Sequence, residues 1–181
     1  MSVRVLLGVG GGIAAYKIAY LASRLVQQGA AVRVAMTPRA TAFVGAVTFE
    51  GLTNRPVILS STQVDPDGRV PHIDAAREAQ VFVVAPATAD LLAKLALGVA
   101  DDPVSLLAIT CRCPLLVCPA MNDAMWTSAA VQANCAELRR RGVQFLGPVE
   151  GHLAEGYDAI GRMVEPDAIL ARALALAAGS A

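Results

Sequence analysis

Apolar residues along this chain gather in short runs, and longer amphipathic stretches separate them. Val3 to Leu7, Ala31 to Met36, Val81 to Ala85, Leu115 to Cys118 and Val143 to Leu146 are runs of four to six residues with little polar interruption. Strands read this way when both faces of a parallel sheet are covered, since no solvent face then imposes alternation. Ile13 to Gln28 instead carries its apolar side chains on one helical stripe and stops at Gly29, which tolerates the left-handed backbone that ends helices. Helices are also predicted over Asp90 to Leu97, Pro103 to Ile109, Ser128 to Arg141 and Pro166 to Ala177. Shorter helical pieces are expected at Pro38 to Phe43, at Ala46 to Leu52 and just after Pro71. Ser60 to Pro71 is the most polar segment and reads as a loop or flap.

Strands alternating with helices give a doubly wound, Rossmann-like α/β fold: a parallel sheet with helices on both faces, in a single domain over residues 1–181. Such sheets bind ligands at the carboxyl ends of their strands. The composition adds one constraint. Apolar residues are 55% of the chain and charged ones 17%, against about 25% charged in an ordinary soluble domain. A surplus of that kind needs an unusually buried sheet or self-association. Charge balances to zero, so no basic footprint points to nucleic acid. The four cysteines lack the spacing of a disulfide framework, and Cys111-Arg112-Cys113 has no second ligand pair, so buried thiols and no metal site are expected. No run is long and apolar enough to cross a membrane, and three consecutive glycines would interrupt a signal helix near the start, so a cytoplasmic chain is expected.

The segments after the strands carry the chemistry. Gly8 to Lys17, GVGGGIAAYK, feeds glycines into a helix start, where free N–H groups and the helix dipole suit a phosphate; a tight turn reads the same way. The dinucleotide fingerprint fails at Ile13, and the second strand ends in Met36-Thr37 with no acidic ribose partner, which leaves a mononucleotide. Thr37 and Thr88 each fit either a helix cap or a ligand contact. His72 opens a helix after the polar loop, with Asp74 two residues on, and fits a structural or a functional role. PAMNDAMW, Pro119 to Trp126, places Met and Trp where turn chemistry asks for neither.

In order and spacing, GVGGGIAAYK, MTPRATAFV, PHID, APATADLLAKLALGVADD, PAMNDAMW and GHLAEGYDAIGRM resemble the flavin-dependent cysteine decarboxylases from about Val3 to Pro166, most nearly the phosphopantothenoylcysteine branch. The resemblance implies a flavodoxin-like flavoprotein with FMN at a subunit interface of a homotrimer, in some members built into a dodecamer. The FMN phosphate would lie on Gly10, Gly11 and Gly12. Thr37, Phe43, Ala87, Thr88, Ala89 and Asp90 would line its ribityl chain and ring, with Ala120 and Met121 near the ring. His72 would be the catalytic base, and Asn122 would bind the substrate's carboxylate and amide. Met121, Met125 and Trp126 would form apolar walls, and Arg162 fits either the substrate phosphate or an exposed position.

The implied reaction takes 4'-phosphopantothenoylcysteine to 4'-phosphopantetheine in coenzyme A biosynthesis. Two departures stand out. Gly12 replaces a common Ser, and Glu155 falls on the Cys that would protonate the enethiol intermediate during its reduction. Glu155 fits a replacement donor or a solvated loop acid, and Gly156 and Gly161 would make its flap mobile. The alternatives are an oxidative decarboxylase that releases an enethiol from another cysteine-terminated substrate, and a flavin-binding partner subunit without turnover.

Overall fold

The five apolar runs become one parallel sheet in the computed structural model, which describes residues 2–179. β1 (Arg4–Val9), β2 (Ala31–Met36), β3 (Val81–Ala87), β4 (Leu115–Pro119) and β5 (Gln144–Phe145) lie in the order β2-β1-β3-β4-β5. Side chains leave successive residues of a strand on opposite faces, and each face has its own cover. Val5, Leu7 and Val9 of β1 pack with α1 (Ala15–Gln27), α2 (Ala46–Thr53) and α8 (Pro166–Ala178). Leu6 of β1, with Phe82 and Val84 of β3, packs with α3 (Pro71–Glu78), α4 (Ala89–Leu97), α5 (Pro103–Thr110) and α7 (Ala129–Arg140). Central β3 is buried at every residue, whereas edge strand β2 is buried at four of six.

From β1 the chain goes outward to β2, then back across to β3, β4 and β5. The segments leaving β1 and β3 therefore diverge, and a crevice opens at their carboxyl ends. α1 begins at Ala15, two residues later than its apolar stripe, because Gly11 to Ala14 form the turn into it. β5 contracts to two residues at the sheet edge, where it pairs only with β4.

Two elements depart from the expected pattern. PAMNDAMW contains a single helical turn, α6 (Asp123–Trp126), capped by Asn122. Beyond β5, β6 (Val149–His152) and β7 (Asp158–Arg162) form an antiparallel hairpin separate from the sheet. Glycines interrupt both of these strands, and their residues are mostly exposed or half-buried, so no apolar alternation announces them.

Candidate functional site

One cleft of about 660 Å³ opens at the carboxyl ends of β1, β3 and β4, with the β6–β7 hairpin along its far side. Its floor is the glycine turn. A Cβ on Gly10 would lie 2.1 Å from the Pro86 carbonyl oxygen, and one on Gly11 would lie 2.4 Å from the Arg39 Cβ. Any larger residue at either position would push the turns after β1, β2 and β3 apart. Gly12 has more room, with Thr88 Cγ2 at 3.3 Å from its virtual Cβ.

The helices around the cleft end differently. Thr88 caps α4 by accepting from Leu91 N–H at 3.3 Å, Asn122 caps α6, and Ser128 caps α7. α1 has no side-chain cap. Its entry is closed by backbone instead, Ala15 N–H donating to the Gly12 carbonyl at 2.9 Å and Lys17 N–H to that of Ala14 at 3.0 Å, and Gly11 to Ala14 line the cleft there.

The sequence-predicted residues divide into three groups. Gly11, Gly12, Thr88, Ala89, Asp90, Ala120, Met121, Asn122, Met125, Glu155 and Arg162 all face the cleft. Gly10, Thr37 and Ala87 stand behind it: Thr37 is 6% exposed and accepts from Ala40 N–H at 3.2 Å, and Ala87 is fully buried. Phe43 and His72 do not line this cleft. Phe43 is exposed, while His72 sits in α3 with Nδ1 buried and without a hydrogen-bond partner. Trp126, expected as a cleft wall, packs instead against the core cluster that holds Val131 and Leu138, and its carbonyl accepts from Gln132 Nε2 at 2.6 Å.

Polar side chains absent from the sequence reading also meet here. Lys17 on α1 donates to both Glu165 carboxylate oxygens at 3.0 and 3.1 Å, and Arg162 pairs with the same carboxylate. The Lys17 hydrogen bond, more than the charges of Lys17 and Arg162, holds the Glu165 carboxyl below its ordinary range. Arg39 and His152 line the cleft as well. Lys17 was legible in principle, one helical turn past Ile13, whereas His152 faces the cleft only because the hairpin folds back over it. Beyond the Asp90 end, Lys94 pairs with Asp90, Asp101 and the buried Asp102. Burial opposes the Lys94 charge, yet the hydrogen bonds it donates to Asp101 and Asp102 prevail and keep its pKa above the usual range.

The hairpin's backbone docks against the Met121 turn. Met121 N–H donates to the Gly161 carbonyl at 3.0 Å. A Cβ on Gly161, whose φ is 141°, would come within 2.2 Å of the Met121 oxygen. Gly161 is therefore a close-approach residue and not the source of mobility that the sequence suggested. Gly156, with φ 91° and open space around it, forms the tip. Glu155 is exposed there and accepts from Asn122 Nδ2 at 3.1 Å. Among the described residues no cysteine faces the cleft, and burial pushes the Cys118 thiol up to about 12. Among the described residues no three His, Cys, Asp or Glu side chains gather as a metal would require, and no helix is long and apolar enough to cross a membrane.

Known proteins resemble this chain in sequence and in fold. The coenzyme A biosynthesis bifunctional protein CoaBC of Mycobacterium bovis is 45% identical over 92% of this chain and 39% of its own length. Its counterpart in Vibrio vulnificus is 42% identical over 93% of this chain and 42% of its own. The chain thus spans about two fifths of the curated relatives it matches. A solved PPC decarboxylase variant in complex with pantothenoylaminoethenethiol superposes with a TM-score of 0.85 at 28% identity, covering 95% of this chain and 96% of that one. The FMN-dependent cysteine decarboxylase SpaF superposes at 0.84 with 31% identity, covering 97% of each chain. The Flavoprotein family model matches residues 1–177, and the chain belongs to that family.

Proposed function

We propose that this chain is an FMN-dependent decarboxylase that converts 4'-phosphopantothenoylcysteine to 4'-phosphopantetheine in coenzyme A biosynthesis. It would act in the cytoplasm as one domain over residues 1–181, assembled as a homotrimer or a dodecamer. The observation that carries the reading is a single cleft with an uncapped helix N-terminus at one end and the Asn122 carboxamide at the other. The relatives named for coenzyme A biosynthesis and the PPC decarboxylase holding an enethiol support it.

The residues fit FMN. The glycine turn into α1, which no side chain caps, would bring backbone N–H groups of Gly11 to Ala14 toward a phosphate, with Gly10 setting the loop from beneath. Small residues Ala89 and Ala120 leave room beside Thr88, Asp90 and Met121 for a flat ring system. Thr37 and Ala87 would shape that wall from behind. Bound FMN supplies reversible two-electron redox chemistry, which lets the electron pair left by carbon dioxide reside on sulfur.

The chain's own groups would do the rest. Asn122 would hold the substrate carboxylate with an amide hydrogen, between the apolar side chains of Met121 and Met125. Arg162 and Lys17 would face the phosphate. His72 would take the thiol proton as general base. Since His72 lies outside the cleft of its own chain, it would serve the cleft of a neighbouring subunit, and Phe43 would reach the flavin in the same way. Such packing would cover Ile13, Tyr16 and Val47, which are more than 60% exposed in one protomer. Glu155, at the place of the family's Cys, would return a proton during reduction of the enethiol. Its exposure favours a second reading, an oxidative decarboxylase that releases the enethiol.

The test is to incubate FMN-loaded protein with 4'-phosphopantothenoylcysteine and identify the product by mass. 4'-Phosphopantetheine is expected, an enethiol end product selects the second reading, and absence of carbon dioxide release overturns both. Chains carrying His72→Asn and chains carrying Asn122→Asp should each bind FMN and be inactive alone. Unfolded together and reassembled, they should recover part of the parent activity if the site is shared between subunits. No recovery would place His72 outside the shared site.

A further inference from the structure

Asn122 uses both amide hydrogens and one acceptor position of its carboxamide. Oδ1 accepts from Ala124 N–H at 2.9 Å, which identifies the oxygen end of the amide, because a flipped group would point its own hydrogens at a donor. Nδ2 then gives one hydrogen to the Tyr157 hydroxyl at 2.9 Å and the other to Glu155 Oε1 at 3.1 Å. Tyr157 in turn donates to Asp123 Oδ1 at 2.7 Å. A phenol has one hydrogen, so once it is committed to Asp123 the oxygen can meet Asn122 only as an acceptor. The Asp123 hydrogen bond also raises the Tyr157 pKa.

The two acceptors on Nδ2 are not equivalent. Glu155 touches Asn122 through one carboxylate oxygen at the exposed hairpin tip, and a substrate carboxylate offers the same chemistry in the same cleft. Tyr157 is tied at both Asn122 and Asp123, and it does not line the cleft.

We propose that Tyr157 is a positioning residue of the decarboxylation site. It holds the Asn122 carboxamide so that one amide hydrogen points into the cleft for a substrate carboxylate, the place Glu155 fills in the chain alone. The inference rests on the proposed role of Asn122 and assigns the group that aims it.

Tyr157→Phe removes the hydroxyl and keeps a ring that is 44% exposed, so FMN binding and folding should be unchanged. A crystal structure of the FMN-loaded variant should show the Asn122 side chain turned or spread over two rotamers, where the parent holds one. A single parent-like orientation in the variant overturns the proposal. With 4'-phosphopantothenoylcysteine the variant's KM should rise roughly fivefold to tenfold while kcat changes less than about twofold, as for a lost binding contact. An unchanged KM, or a fall confined to kcat, also overturns it. If the parent releases no carbon dioxide from this substrate, the functional reading falls, and the orientation of Asn122 in the two crystal structures decides the role of Tyr157 by itself.

Discussion

Gly10 and Gly161 are each pressed against a backbone oxygen, with virtual Cβ distances of 2.1 and 2.2 Å. Their surroundings are otherwise opposite. Gly10 is buried where the turns after β1 and β3 meet, and Leu91 Cδ1 stands 2.7 Å from the same virtual Cβ. Gly161 lies on a two-stranded hairpin that is joined to the sheet's turns through the Met121 backbone. The same steric conflict has different consequences in the two places. In the frame no neighbour can retreat, whereas the hairpin can lift away. A local opening then limits how much global stability a clash can cost.

The largest effect should come from the frame. Gly10→Ala should lower unfolding free energy by about 3 kcal/mol, the upper part of the range for overpacked interiors. It should also lose FMN, because the loop that presents Gly11 and Gly12 moves with it. Denaturant midpoints and flavin absorbance after gel filtration measure the two losses. A stable, yellow Gly10→Ala protein would mean that the turns after β1 and β3 can separate, and the comparison would collapse.

Gly161→Ala should behave differently. Its global stability should fall by no more than about 1 kcal/mol, since undocking the hairpin relieves the strain. Decarboxylation should fall more than tenfold, because the undocked hairpin carries Glu155, Tyr157 and Arg162 away from Asn122. Protease cleavage near Gly156 should quicken. Equal destabilisation by the two glycine substitutions would make the hairpin part of the frame.

This division also explains what the sequence could and could not disclose. β1 to β4 were legible because buried parallel strands need nothing but apolar side chains, and most of the predicted residues after β1, β3 and β4 fell into the cleft for the same topological reason. The hairpin was not legible, since Val149–His152 and Asp158–Arg162 are held by backbone pairing, a close glycine contact and polar links to Asn122 and Asp123 instead of an apolar face. Tyr157 and Asp123 are 34 positions apart, and no local pattern links them; only docking of the hairpin brings the hydroxyl to the carboxylate. His72 shows a different limit, because its motif was visible while its place outside the protomer's own cleft follows from packing. Thr37 and Thr88 fitted two roles in sequence, and in the structure each hydroxyl caps a turn.

A smaller effect tests the ionic link between frame and hairpin. Glu165 joins Lys17 of α1 to Arg162 of β7. Its folded pKa is depressed, so its stabilisation is complete above the unfolded carboxyl value of about 4.3 and is lost as pH falls through the lower folded value. The carboxylate is 57% exposed, so solvent screening limits the gain to at most about 1 kcal/mol. Glu165→Gln should therefore be slightly less stable than the parent at neutral pH, and the gap should close in acid. A gap that widens in acid has the wrong sign for this link.

The smallest effect on stability, and the most specific in chemistry, belongs to Glu155. Gln at this position keeps the length of the side chain and retains an oxygen that can accept from Asn122 Nδ2, so the hairpin should stay docked and the denaturation midpoint should not move. What disappears is the acid. Carbon dioxide is lost before any proton is returned to the enethiol, so its release by Glu155→Gln should stay within about twofold of the parent. If Glu155 supplies that proton, the enethiol should accumulate where the parent yields the reduced thiol, and mass analysis of the products separates the two. Unchanged formation of reduced thiol would instead move the donor elsewhere in the cleft, with His152 the nearest titratable neighbour in sequence that also lines it. In that event the hairpin would still close the site, but its tip would serve Asn122 alone.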